Sequence, residues 1–189
     1  LALLAAAMLA AAPAAAQPRP AFEDGSARLP AKPQPGHSMN AKAADLTGDG
    51  IADLLIAMER EPNRLLVGDG RCGFSDGSAR LPRDARDSEE SFDADGDGAL
   101  DLFFGGDTVS SLWMGAGRGG FRDESIARLP ATYGGTQHVA VVDVDGDGDP
   151  DLVLGNEDRN QLYLNAGGGR FALAPAEALP RPASGPEET

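Results

Sequence analysis

Cysteine is almost absent from this sequence: Cys72 stands alone among 189 residues, so no intrachain disulfide can form. A single thiol of this kind is expected as a small buried side chain rather than as a nucleophile. Histidine is as scarce. His37 and His138 each lack a second ligand at zinc spacing, so neither marks a zinc or catalytic site. Positive charge is in the minority, with 16 Lys and Arg against 30 Asp and Glu and a formal net charge of −14. That balance argues against nucleic acid and anionic membrane surfaces, which call for a basic patch. No GxSxG elbow, glycine-rich phosphate loop or HExxH pair occurs, and the sequence offers no residue set for an enzyme. No apolar run reaches the ~20 residues of a comfortable membrane span.

The longest apolar run, Leu1 to Ala12, has the length of a signal-peptide core and is followed by Pro13 and Ala14-Ala15-Ala16. Cleavage after Ala16 would leave Gln17 as the mature N-terminus, which predicts a secreted or periplasmic protein without membrane insertion. The run starts at Leu1 without an initiator Met or a basic n-region, as expected of a sequence clipped by a few residues. The remainder carries most of 25 Gly and 14 Pro, a loading that suits short strands joined by many turns.

Internal self-similarity dominates the rest. Asp24-Gly-Ser-Ala-Arg-Leu-Pro30 recurs unchanged as Asp76 to Pro82, and returns in weaker form as Ala127-Arg-Leu-Pro130 and Ala178-Leu-Pro180. Each copy follows a phenylalanine: Phe22, Phe74, Phe121 and Phe171. Three aspartate-glycine segments open at Asp45, Asp93 and Asp143, spaced 48 and 50 residues apart, and a phenylalanine follows each by 28 or 29 residues. Two independent landmarks therefore keep one period. The third copy shows four strand candidates best: His138 to Val142, Leu152 to Leu154, Gln161 to Leu164 and Phe171 to Leu173. Leu54–Ile56 and Leu102–Phe104 match the second of these; Leu65–Val67 and Leu112–Met114 match the third. Four antiparallel strands in roughly 45–50 residues is the size of one propeller blade. The fold class expected is all-β, a β-propeller-like array of about three complete four-stranded antiparallel blades. The divisions are a leader over 1–16, a Pro-rich lead-in over 17–36 with one repeat-derived strand at 22–29, repeats at 37–82, 83–130 and 131–180, and a tail at 181–189.

Twelve of the 30 acidic residues are aspartates packed into three nine-residue windows, Asp45–Asp53, Asp93–Asp101 and Asp143–Asp151. Calcium takes six to eight hard oxygen ligands. Positions 1, 3 and 5 supply side-chain oxygens from Asp45, Thr47 and Asp49, from Asp93, Asp95 and Asp97, and from Asp143, Asp145 and Asp147. Position 7 supplies a backbone carbonyl from Ile51, Ala99 or Asp149, and position 9 closes the cage with Asp53, Asp101 or Asp151. The glycine at position 6 serves the sharp turn. An EF-hand would place an acid at position 12, where this sequence has Ile56, Phe104 and Leu154, so helix-flanked loops are excluded. Up to three Ca²⁺ ions are expected, and they would bring the formal charge of −14 to about −8. The first loop, with Thr47 in place of an acid, should bind most weakly.

These loops, each followed by a short apolar strand, and the segment Leu162-Tyr-Leu-Asn-Ala-Gly-Gly-Gly-Arg-Phe171 resemble the FG-GAP/VCBS repeat family over residues ~22–173. The Phe-Gly/Gly-Ala-Pro consensus itself survives mainly as Phe104-Gly-Gly106. The resemblance implies a calcium-loaded β-propeller, as in integrin α-chain heads and many exported bacterial proteins. A non-catalytic scaffold for adhesion, or for a protein or carbohydrate ligand, is the function expected. The alternative is a non-catalytic accessory domain of an exported enzyme, such as a polysaccharide-degrading one. Trp113 and Tyr163 fall at equivalent positions and are expected to pack between blades rather than to stack a sugar. Arg28, Arg80 and Arg128 recur with the repeat and are expected in a shared structural contact. Closed propellers need four or more blades. Truncation after Thr189 is the favoured explanation, beside closure by a second copy and an open stack, and open blade edges would invite self-association.

Overall fold

The structure, a computed structural model, describes residues 23–31, 36–59, 61–81, 89–106, 109–131, 135–157 and 159–179, and the statements below concern these. The expected leader and tail lie outside them.

Twelve strands form three separate four-stranded antiparallel sheets, each built from consecutive strands. The first holds β1 (Ser38–Ala44), β2 (Asp53–Met58), β3 (Arg64–Gly68) and β4 (Phe74–Asp76). The second holds β5 (Glu89–Phe92), β6 (Asp101–Phe104), β7 (Ser111–Gly115) and β8 (Phe121–Asp123). The third holds β9 (Thr136–Val142), β10 (Asp151–Asn156), β11 (Gln161–Asn165) and β12 (Phe171–Leu173). The strand candidates read within the three repeats fall within these, most with a residue or two added at the ends. Register repeats with the sequence: Leu54 faces Leu66, Leu102 faces Trp113 and Leu152 faces Tyr163 across the second and third strands.

Burial explains why the second strands read as apolar runs. All four residues of β6 are buried. Leu102 and Phe104 join Leu46, Leu55, Leu65 and Leu81 in a core cluster shared with the first sheet. Phe103 faces the other way, into a cluster with Leu152, Leu154 and Tyr163 of the third sheet. A strand packed on both faces loses the polar alternation of a half-solvated one. Phe92 and Phe171 meet edge to face in the same cluster, with ring centroids 6.4 Å apart. Tyr163 is fully buried and Trp113 packs against the first cluster, so both serve the core.

Two expectations need correction. The lead-in was expected to hold a strand over 22–29, but residues 23–31 contain a 3₁₀ turn at Ser26–Arg28 and no strand. The same motif makes a 3₁₀ turn at Ser78–Arg80 and one α-helical turn, α1, at Ser125–Arg128. The reason is local: Asp24, Asp76 and Asp123 each accept the N–H of the serine two residues on, at 2.9, 2.9 and 3.0 Å. Such Asx contacts compete with strand pairing and start turns. Cys72, expected to be buried, is exposed on the β3–β4 connection at φ 62°.

Candidate metal centre

Each aspartate-glycine segment links the first strand of a sheet to the second. Position 9 is the first residue of the second strand and pairs with the last residue of the first: Ala44 with Asp53, Phe92 with Asp101, Val142 with Asp151. Position 1 therefore sits where the strand ends, and eight residues must turn within the width of one strand pair. Aspartate makes that possible. Asp45 Oδ1 accepts the N–H groups of Gly48 and Asp49 at 2.7 and 3.1 Å, and its Oδ2 accepts that of Gly50 at 2.7 Å. Asp93 repeats the pattern with Gly96, Asp97 and Gly98, and Asp143 repeats it with Gly146 and Gly148. The position-6 glycines Gly50, Gly98 and Gly148 adopt φ of 82°, 88° and 95°. No atom lies within 4 Å of where their Cβ would be, so backbone conformation rather than space selects glycine there.

The position-5 aspartates are exposed, and Asp49, Asp97 and Asp147 each accept the N–H of position 7 at 2.8, 2.8 and 2.9 Å. Those position-7 residues, Ile51, Ala99 and Asp149, lie at the half-buried base of the loops. Position 9 is different in kind. Asp53, Asp101 and Asp151 are fully buried. One oxygen of each accepts the N–H of loop position 2: Leu46 at 3.0 Å, Ala94 at 2.8 Å and Val144 at 2.8 Å. The other accepts an N–H at the end of the third strand: Gly68 at 2.9 Å, Gly115 at 2.7 Å and Asn165 at 2.8 Å. A single carboxylate thus ties the loop to two strands. Spacing alone suggests a ligand at this position, whereas the cross-strand bond requires the fold.

The loops concentrate negative charge. In the second, Asp93, Asp95 and Asp101 bring carboxylate oxygens within 4.8 Å of one another, and in the third Asp143, Asp145 and Asp151 do the same. Both groups could hold a metal ion, and their all-oxygen donor set suits a hard cation. Asp97 and Asp147 stand outside these tight groups. Among the described residues Asp45, Asp49 and Asp53 form no such group. There, position 3 is Thr47, buried and with an Oγ1 that has no hydrogen-bond partner among the described residues. The electrostatic strain shows in the acids. Burial raises Asp101 to about 6, against the pull of the Gly115 and Ala94 N–H groups and with help from Asp95 and Asp93. Desolvation, then the neighbouring Asp147, Asp151 and Asp143, push Asp145 upward. Asp45 is held below the usual range, chiefly by the Gly50 N–H.

The sheets meet through polar contacts that the sequence reading did not resolve. Asn165, 1% exposed, donates through Nδ2 to Ala94 O of the second loop at 2.9 Å and to Pro150 O at 3.2 Å. In the sequence it reads only as a turn residue. Arg128 donates to Gly168 O of the third sheet and lies 3.6 Å from Asp95. The recurrence of the arginine signals a shared contact without naming the partner. Lys42 of β1 pairs with Glu90 of β5. Among the described residues no helix is long and apolar enough to cross a membrane.

No curated protein matches the chain. Among solved structures it is similar to a lectin of Agrocybe aegerita, described as specifically recognising non-reducing terminal N-acetylglucosamine, at 23% identity and a TM-score of 0.49. That alignment covers 70% of this chain and 36% of the lectin. It is also similar to the Photorhabdus luminescens Tc holotoxin pore, at 30% identity and a TM-score of 0.42 over 70% of this chain and 7% of the other. The chain therefore spans well under half the length of either. The model of the FG-GAP-like repeat matches residues 93–154 and again 143–187, about half of the sequence; the first match contains both loops whose aspartates converge and the second contains the later of them. The chain belongs to the FG-GAP-like repeat family.

Proposed function

We propose that this chain is a calcium-stabilised, non-catalytic binding scaffold of propeller type, exported from the cytoplasm. Its blades would correspond to residues 37–82, 83–130 and 131–180, each with one calcium loop. The observation that carries the reading is the convergence of positions 1, 3 and 9 in two loops of the same register. Asp93, Asp95, Asp97 and Asp101, with the Ala99 carbonyl, would hold one ion; Asp143, Asp145, Asp147 and Asp151, with the Asp149 carbonyl, would hold another. Asp45, Asp49, Asp53, the Ile51 carbonyl and the orphaned Thr47 Oγ1 would form the weakest site. The bound cation would neutralise the crowded carboxylates and replace the disulfides that one cysteine cannot supply.

The position-9 carboxylates keep free lone pairs beside the N–H bonds they accept, so structural tie and ion ligand are compatible roles. Extracellular calcium modules bind with Kd of roughly 10⁻⁴ to 10⁻³ M. At ~1 mM calcium and a Kd of ~10⁻⁴ M, each site adds ~1.4 kcal/mol, and three add ~4 kcal/mol. That is a large part of a typical domain stability of ~5–15 kcal/mol. The leader-like Leu1–Ala16 segment supports export, to a compartment where such calcium levels are available.

Thermal unfolding of the full chain with about 2 mM calcium and with chelator tests the reading. The expected result is an upward shift of several degrees with calcium. It should fall by about a third in Asp97→Ala or Asp147→Ala, each of which removes one of three sites at an exposed side chain. Equal unfolding temperatures, together with no calcium by elemental analysis, would overturn it.

A further inference from the structure

The joints between sheets repeat a three-part contact. It consists of position 3 of a calcium loop, the arginine of the Arg-Leu-Pro motif in the same repeat, and a positive-φ glycine in the β-turn of the next sheet. At the second joint these are Asp95, Arg128 and Gly169: a Cβ on Gly169 would lie 3.0 Å from Arg128 Nη1 and 3.4 Å from the Cβ atoms of Ala94 and Asp95. At the first joint they are Thr47, Arg80 and Gly119, where a Cβ on Gly119 would meet Arg80 Nη1 and lie 3.0 Å from Thr47 Cγ2. The chemistry of the contact differs along the chain. Thr47 gives Arg80 no carboxylate at the first. At the second, Arg128 Nη2 lies 3.6 Å from Asp95 Oδ2, with side chains only 15% and 22% exposed. In the third repeat the arginine position is Ala178, so Asp145 has no such cation.

We propose that Arg128 is a resident cation that competes with calcium for the second loop and couples occupancy of that loop to the joint between the second and third sheets. The proposal rests on the calcium reading above. In the ion-free protein the guanidinium offsets part of the charge of Asp95 while it donates to Gly168 O and to Glu124. An ion bound by Asp95 places a second cation beside Arg128. The two repel, and at a half-buried position salt screens that repulsion only in part. The coupling is reciprocal: Arg128 weakens calcium binding in the second loop, and calcium weakens the Asp95 arm of the joint while the Gly168 arm persists. Calcium affinity is therefore graded along the chain, with the third loop above the second and the second above the first.

The test is calorimetric titration of the full chain with calcium chloride in a D49A/D147A background. Those exposed position-5 changes silence the first and third loops and leave the buried position-9 carboxylates in place. Arg128→Gln should bind about fivefold more tightly than its parent, or ~1 kcal/mol, although it unfolds at a lower temperature in chelator. Arg128→Lys, which keeps the charge, should stay near the parent, and the gain from Arg128→Gln should shrink at about 0.5 M salt. Unchanged or weaker binding by Arg128→Gln overturns the proposal while the calcium reading stands. A parent that binds no calcium removes both. If Arg128→Gln does not fold, D49A/D147A is compared with D49A/D97A/D149A, which leaves the third loop with its four remaining carboxylates. The third loop should then bind about fivefold more tightly than the second, and equal affinities overturn the coupling.

Discussion

On the proposed calcium reading aspartate has two separable jobs in these loops, and substitutions should tell them apart. Asp101 is fully buried and accepts backbone N–H groups from Ala94 and Gly115. Asp101→Asn keeps its shape but turns an NH₂ group toward one of those donors. It should cost ~1–3 kcal/mol even in chelator, the penalty of an unsatisfied buried group. Asp97→Ala, at an exposed position, should change the unfolding temperature in chelator little and reduce the calcium-dependent shift instead. Thermal melts of both variants with and without calcium give the four values needed, and equal behaviour in chelator would contradict the distinction. The density of aspartate made the loops visible in sequence. The division of labour within them was not, because Asp97 and Asp101 differ only in what surrounds them once three strands are in place.

At the scale of elements, the repeated serine has a role that periodicity could not reveal. Ser125 Oγ accepts the Leu112 N–H at 2.9 Å, and Ser78 Oγ accepts the Leu65 N–H at 3.2 Å. The short fourth strands stop before reaching the start of the third, so the motif's turn brings a hydroxyl to the backbone left over. Ser125→Ala should therefore cost ~1–2 kcal/mol, read as a lower denaturant midpoint at an unchanged slope. A surface serine without this bond would cost under ~0.5 kcal/mol. The motif reads from sequence as a landmark and, after a phenylalanine, as an extended segment. Its turn conformation follows from Asp24, Asp76 and Asp123 capturing local N–H groups, a preference that outweighs strand propensity where no partner strand is available.

For the whole molecule, pH and calcium should act against each other through Asp101. Its carboxyl is raised to about 6, above the value near 4 of an unfolded chain. The ion-free fold therefore holds a proton in that window which the unfolded chain releases. The stability tied to this group is present below about pH 4 and is lost as pH rises to about 6. Calcium needs the ionised form, so binding to the second loop should weaken as pH falls through 6. The calcium-induced shift in unfolding temperature is expected to be larger at about pH 7 than at about pH 5, as checked by melts at matched ionic strength. A shift independent of pH across that range would count against Asp101 as a ligand. Asp45 and Asp69 are lowered chiefly by hydrogen bonds from loop N–H groups and Asp76 chiefly by the Ser78 hydroxyl, so their contribution is kept through this window and lost only at lower pH.

The sequence by itself determined the all-β class, the period, the strand segments and the position of the loops. These depend on local properties: β-branched and aromatic runs, glycine where φ must be positive, and carboxylates close along the chain. Tertiary structure decided which residues cross from one sheet to the next. It also buried Asp53, Asp101 and Asp151, while the reach of Asn165 to Ala94 and the meeting of Arg128 with Asp95 join atoms 71 and 33 residues apart. No local pattern encodes such contacts, because their energy comes from desolvation and from partners that only sheet stacking supplies.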